Sequence, residues 1–394
     1  MNLFDPRNES LERERLEQFQ LERLQALLAR LKRNVRRYRE TLGDVRLASL
    51  EDLAGLPVTE PDDLTAGFPY GMFALPLREV MRLHSIVGPS GKQLVIGHTR
   101  NDLTHWGRLV ARQFSAIGIN AHDVMQIYFA PGAFEAAFGF MRGAETIEAS
   151  VAPDDPFHIE YQLATLINYR VTVLITTPGN AFQLAALMDR AGRAPQDLPL
   201  RHVVLSRPVS AEERERLRSD LFADVTCAFG VDEILNPGLC VECAHGRQHV
   251  NEDQFLVETR DSELLVTTLC REAMPLLRYA TRIAGDLCRE ECPCGRTGIV
   301  VRPRGRLDNR LLINETPLYR EQIETVLAGT AAANHDFTLE TSERGVVVSI
   351  LVTADLFRDT MRELLDLKET IIRELAARLG IPADVRFRDR VGQA

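Results

Sequence analysis

Cys243, His249, Cys292 and Cys294 are the residues of this 394-residue chain whose types and spacing suit a metal ion. Thiolate and imidazole are the ligands that tetrahedral zinc prefers, and two short clusters brought together by a fold can supply four of them. Cys292 and Cys294 sit in a Cys-Pro-Cys-Gly-Arg turn, where Pro293 and Gly295 let both thiols point at one ion. Six of the seven cysteines lie between 240 and 294, a density that favours a structural zinc site near 240–295. The plainer alternative is a set of buried or free cysteines beside an unrelated surface histidine. Cys240, His245 and Cys288 are spare ligands.

Such ligands need a scaffold, and the chain is long enough for two or three domains. Hydrophobic residues make up 45% and charged residues 26%, as in a globular protein. A net charge of −9 argues against nucleic-acid binding. No apolar run approaches the roughly 18–20 residues that cross a bilayer, and residues 1–10 lack the apolar core of a secretion signal. An odd number of clustered cysteines fits a reducing compartment, so a cytoplasmic protein without membrane contact is expected.

Ser10 to Glu40 reads as one amphipathic helix, with Leu16, Leu24, Leu27, Leu28 and Leu31 on one side and Gly43 as its stop. From about residue 100, helices alternate with short apolar strands. Val124–Phe129, Val171–Thr176 and Val203–Leu205 are predicted strands, with helices at Ala136–Met141 and Ala181–Ala191. Val225 to Leu269 is richer in strands, Glu263–Leu269 above all. Beyond Arg306, Leu311–Ile313 reads as a strand and Arg320–Leu327 as a helix. Phe337–Thr341 and Val346–Thr353 read as a hairpin, followed by a helix at Leu356–Leu379 and a strand at Val385–Arg388. The class is α/β, with mixed sheets flanked by helices, plus a small α+β unit.

A series of motifs runs through this pattern in order: Phe229-Gly-Val-Asp-Glu233, Asn236-Pro-Gly238, Glu242-Cys243, Glu252-Asp253, Pro275-Leu-Leu-Arg-Tyr279, Cys292-Pro-Cys-Gly-Arg-Thr297 and Gly305-Arg-Leu-Asp308. In this order, over almost its full length, the chain resembles the phenylacetate–CoA ligases, a branch of the adenylate-forming enzymes. Those enzymes join a carboxylic acid to ATP, release pyrophosphate, and pass the acyl group from AMP to coenzyme A. The resemblance implies a large N-terminal adenylate-forming domain, 1–305, and a small C-terminal lid domain, 306–394, hinged near Asp308. It also implies zinc at Cys243, His249, Cys292 and Cys294. Glu233 stands at the position of the magnesium-binding adenylation glutamate, and Arg306 where a side chain reaches the ribose.

Several nucleotide-binding positions depart from the family pattern. In His84-Ser-Ile-Val-Gly-Pro-Ser-Gly-Lys92, only Gly88, Ser90, Gly91 and Lys92 remain of the phosphate loop. Ile86, Val87 and Pro89 replace hydroxyl residues, and Pro89 also removes an N–H donor. Each lost charge-assisted hydrogen bond is worth about 1.5–3 kcal/mol. The adenine-contacting turn is Ser206-Arg-Pro-Val-Ser210, with Arg207 where a glutamate is expected. Ile283 replaces the aspartate that would accept hydrogen bonds from the ribose, and Asp286 is the substitute three residues on. No lysine follows Lys368, so the catalytic lysine of the C-terminal tail is missing, with Arg388 and Arg390 nearby. Arginine's planar fork is no copy of an ammonium.

The expected function is that of a phenylacetate–CoA ligase-like protein with reduced or absent adenylation, binding a carboxylate, an acyl-CoA or a partner ligase subunit. The alternative is a working aryl or acyl acid–CoA ligase with a divergent nucleotide site. ATP or AMP, magnesium and CoA are the ligands in question. Phe129, Ala130, Phe134 and Phe138 are candidate walls for the acid, and the first helix is a candidate homodimer surface. Cys270 is a conceivable acyl acceptor, although a structural role suits a cysteine there better.

Overall fold

Short runs of β-branched residues, apolar on both faces, form the centre of the molecule. The structure is a computed structural model and describes residues 2–87, 93–129, 134–152, 159–307, 311–313, 316–318, 320–333, 335–342, 345–352 and 361–388. Gly88, Ser90, Gly91, Lys92, Ala130, Asp308 and Arg390 lie outside the described residues, and so does the side chain of Phe134. Five parallel strands make the central sheet, in the order Ser150–Val151, Val124–Tyr128, Val173–Thr176, His202–Leu205 and Asp224–Cys227. Every residue of Val173–Thr176 and His202–Leu205 is buried, which explains why these strands read as continuous rather than alternating apolar runs. Helices Pro178–Arg190 and Ala211–Leu221 cover one face through Leu184, Met188, Leu217 and Leu221.

A second sheet has six antiparallel strands, ordered Phe255–Arg260, Glu263–Thr268, Tyr279–Cys288, Val300–Arg306, Gln248–Val250 and Cys240–Glu242. Helix Arg100–Ala116 connects the two sheets. Its Trp106 donates to the carbonyl of Pro237 at 2.6 Å, and its other face packs closely on helix Phe134–Thr146. Glycine permits that approach: a Cβ at Gly143 would stand 2.3 Å from Cγ1 of Val110.

The N-terminal helix breaks where the sequence pattern runs on. It spans Arg13–Asn34, then Val35 turns extended (φ −111°, ψ 117°) and a second helix covers Arg36–Thr41. Burial decides the break. Val35 and Tyr38 are wholly buried, and the Tyr38 hydroxyl meets Thr59 at 2.8 Å and the Leu277 N–H at 3.2 Å. Of the leucine stripe on the first helix, Leu16, Leu24, Leu27 and Leu31 are buried in this chain and Leu28 is half-buried.

The last unit is a three-stranded sheet, Phe337–Ser342, Gly345–Leu351 and Ala383–Arg388, the first pair antiparallel and the second parallel. Helices Arg320–Ala328 and Met361–Leu379 enclose its core of Ile323, Val348, Ile350, Ile371, Leu375 and Val385. Among the described residues, no helix is long and apolar enough to cross a membrane.

Candidate functional site

Three separate elements bring the sulfur and nitrogen ligands together. The turn joining strands Cys240–Glu242 and Gln248–Val250 carries Cys243 and is closed by Gly246 in a left-handed conformation (φ +70°). His249 lies on the second of these strands, opposite Val300. Cys292 and Cys294 come from the turn between Tyr279–Cys288 and Val300–Arg306, closed by Gly295. The ligand atoms of all four residues lie within 4.8 Å of one another. Tetrahedral bonds of 2.3 Å to sulfur and 2.0–2.1 Å to nitrogen set edges of about 3.8 Å between two sulfurs and about 3.5 Å between sulfur and nitrogen. Cys243 Sγ to Cys292 Sγ is 3.8 Å, and Cys294 Sγ to His249 Nε2 is 3.4 Å. The other ring nitrogen, Nδ1, faces the Gly298 carbonyl at 3.1 Å, which fixes Nε2 as the ligand atom. Burial pushes the Cys243 thiol up to about 12, and a cation would hold it as thiolate at neutral pH. Cys240, His245 and Cys288 take no part in the cluster.

A separate cavity of about 570 Å³ opens at the carboxyl ends of the parallel strands, where open α/β sheets place their ligands. Its walls are the turn Ser206–Ser210, the loop 228–232, Ile283, Arg304 and Arg306. From the C-terminal unit come Gln322, Thr325, Val326 and Arg378. Arg207 reaches across to Glu324 at 3.7 Å. Phosphate-loop residues 88–92 lie outside the described chain, so their place relative to this cavity is not described.

The sequence-predicted residues divide here. Arg306 lines the cavity, and so does Ile283, where the ribose acceptor was expected. Asp286 does not. It lies farther along strand Tyr279–Cys288, past the bulge at 281–285, opposite Arg302, with its half-exposed carboxylate 3.3 Å from Arg304. The expectation that Asp286 could replace the ribose aspartate required the chain to absorb three residues. The strand does bulge here, with Arg282 left-handed (φ +57°) and the register shifting against both neighbours, yet Asp286 still emerges beside Arg304 and outside the cavity lining. Arg388, the tail arginine within the described chain, pairs with Glu340 at 3.1 Å and does not line the cavity.

Glu233 is 2% exposed and lies behind the cavity wall that Asp232 forms. Burial pushes its carboxyl from 4.5 to about 7, with Asp232 adding repulsion while Arg306 and Tyr279 draw it back. A carboxyl raised in the folded state binds more protons there than when unfolded between these two values. Its contribution to stability is therefore whole below about 4.5 and lost as pH rises through about 7. Glu233→Gln is expected to gain on the wild type by about 3 kcal/mol between pH 4.5 and pH 8. Urea unfolding across that range checks it: parallel curves for the two proteins would mean Glu233 is ionised without penalty.

Cys270 is half-buried, its sulfur held by the guanidinium of Arg23 and 3.8 Å from the Asp253 carbonyl. Burial pushes its thiol to about 11, which makes it a poor nucleophile at neutral pH. Phe129 stacks on Phe140 in the main core, whereas Phe138 joins His84, Trp106 and Arg82 in a cluster of rings. Sequence reasoning missed the contribution of Arg304, Arg378 and Gln322 to the cavity. No local pattern marks them, because they come from a strand and two helices that only the fold brings together.

Architecture of this kind is that of the adenylate-forming CoA ligases. The crystal structure of 2-hydroxyisobutyryl-CoA ligase in the postadenylation state, in complex with R3-HIB-AMP, superposes with a TM-score of 0.79 at 19% identity. That match covers 99% of this chain and 89% of that one. The anthranilate CoA ligase AuaEII, in complex with anthranoyl-AMP, gives a TM-score of 0.57. No model of a protein family matches the chain. Individual sequences do. The phenylacetate-coenzyme A ligase of Thermus thermophilus is 32% identical over 420 residues, spanning 97% of this chain and 94% of that protein. That of Pseudomonas putida is 32% identical over 378 residues, spanning 90% and 84%. The chain belongs to the phenylacetate–CoA ligase family.

Proposed function

We propose that this protein is an acid–CoA ligase of the phenylacetate–CoA ligase type whose grip on the nucleotide is weakened. The observation that carries the reading is the cavity, where the family's nucleotide-contacting segments (the 206–210 turn, the loop before Glu233, and Arg306) meet across from the C-terminal unit. The acyl donor would be a carboxylic acid activated by ATP with magnesium, and the acceptor coenzyme A. Glu233 would act as the magnesium-linked carboxylate and Arg306 as the ribose contact. Gly88, Ser90, Gly91 and Lys92 would supply what remains of the phosphate cradle, and Asp308 the hinge.

Weakening is expected from Ile283, an aliphatic side chain with no acceptor on the cavity wall, and from Ile86, Val87 and Pro89, which replace hydroxyl residues of the family's phosphate loop. Loss of one preorganised transition-state donor commonly costs about 10²–10³ in rate. A second reading rests on the same wall: a scaffold that binds a carboxylate or acyl-CoA without forming an adenylate. Thioester formation from ATP, CoA and a panel of aromatic and aliphatic acids separates the two. Slow, acid-dependent turnover with pyrophosphate release is expected. No turnover, combined with calorimetry showing no ATP–Mg²⁺ affinity, would leave the scaffold reading.

Zinc at Cys243, His249, Cys292 and Cys294 is proposed as structural. Four protein ligands would fill a tetrahedral site and leave no open position for substrate, and the cluster shares no lining residue with the cavity.

A further inference from the structure

Glu242 is a buried carboxylate, 1% exposed, that the ligase chemistry does not use. It lies on the edge strand of the antiparallel sheet, next to Cys243, and faces the last strand of the parallel sheet. One carboxylate oxygen accepts from the N–H of Cys227 at 2.9 Å and from Nε2 of Gln248 at 2.9 Å. Arg214 closes on both oxygens, a bidentate pair that also donates to the Val225 carbonyl at 3.1 Å. The backbone of Glu242 is tied to helix Arg100–Ala116, its N–H donating to Gln113 Oε1 at 2.7 Å.

These contacts fall at the roots of two cavity walls. Cys227 ends its strand, and the next residues, 228–232, form one wall. Arg214 belongs to helix Ala211–Leu221, which begins directly after the other wall, Ser206–Ser210. Leu205 and Cys227 pair side by side, so both loops leave the sheet at one point. We infer that Glu242 is a positioning residue: through Cys227 and Arg214 it sets the spacing of the two nucleotide-facing walls and couples them to the Cys/His cluster one residue away. A buried carboxylate held by donors from three elements is a rigid junction, because releasing any one donor leaves charge unpaired in the interior. The functional half of the inference rests on the proposed ligase reading; the mechanical half does not.

Two measurements keep these halves apart. In ligand-free protein, Arg214→Gln and Glu242→Gln are expected to speed amide hydrogen exchange in 206–213 and 228–232 by about tenfold or more, with bound metal retained. The double variant should add little to either single one, since both break one pair. Arg214 is the second handle because its side chain is 26% exposed and tolerates change better than Glu242. In turnover, Arg214→Gln should raise KM for ATP about tenfold or more with kcat changed less, whereas a general loss of stability would lower kcat through loss of active protein and spare KM. Unchanged exchange in both walls, or additive effects of the two substitutions, would overturn the inference. A wild type without turnover but with the exchange changes would sink the ligase reading alone.

Discussion

Cys243→Ser is expected to release one equivalent of zinc and to destabilise the protein by more than about 4 kcal/mol. The proposed ion ties three pieces of the antiparallel sheet: the turn after Glu242, the strand of His249, and the turn of Cys292 and Cys294. Residues just past the Cys292–Cys294 turn enlarge the effect. Arg296 is buried against Glu9 at 2.6 Å and donates to the carbonyl of Asn2, and the Thr297 hydroxyl bonds to the Leu11 carbonyl at 2.7 Å. The N-terminal segment is therefore anchored by the residues immediately after two of the ligands. Metal analysis and urea unfolding of the variant, with chelator-treated wild type beside it, make the check. A wild type purified without metal, or one whose unfolding midpoint a chelator leaves in place, would remove zinc from the account.

Arg112→Ala is the second large effect, an expected loss of about 3–5 kcal/mol. Arg112 is 3% exposed and grips Asp253 with both arms, at 2.7 and 2.9 Å. It also reaches Asn251 at 3.0 Å and Asp5 at 3.2 Å. Removing the guanidinium would strand Asp253, itself 3% exposed, without its bidentate partner. Arg112→Lys should recover only part of the loss, because one ammonium cannot span two carboxylate oxygens in the same way. Equilibrium unfolding of both variants measures this. A loss below about 1 kcal/mol would place the pair with the weak surface bridges instead.

Period and punctuation alone exposed much of the architecture. Val173–Thr176 and His202–Leu205 were legible because strands buried on both faces need unbroken apolar runs, and helices Pro178–Arg190 and Arg320–Ala328 because theirs recur at helical spacing. The Cys/His cluster was legible for a chemical reason, since few residue types suit a metal and the turn residues around Cys292 and Cys294 limit where the thiols point. The break at Val35 was not legible. Local pattern favours continuing the helix, and the partners that hold Tyr38 beyond the break, Thr59 and Leu277, are distant in sequence.

By itself, then, the sequence determined the central parallel strands, the Cys/His cluster and the family, each encoded in residues near one another or in their order along the chain. Tertiary structure decided the cavity. Its walls come from segments as far apart as Ser206 and Leu379, which only the fold brings together. Ile283 lines the cavity and Asp286 is held against Arg304 because the bulged strand between them sets each side chain's direction, which no single position in the sequence specifies.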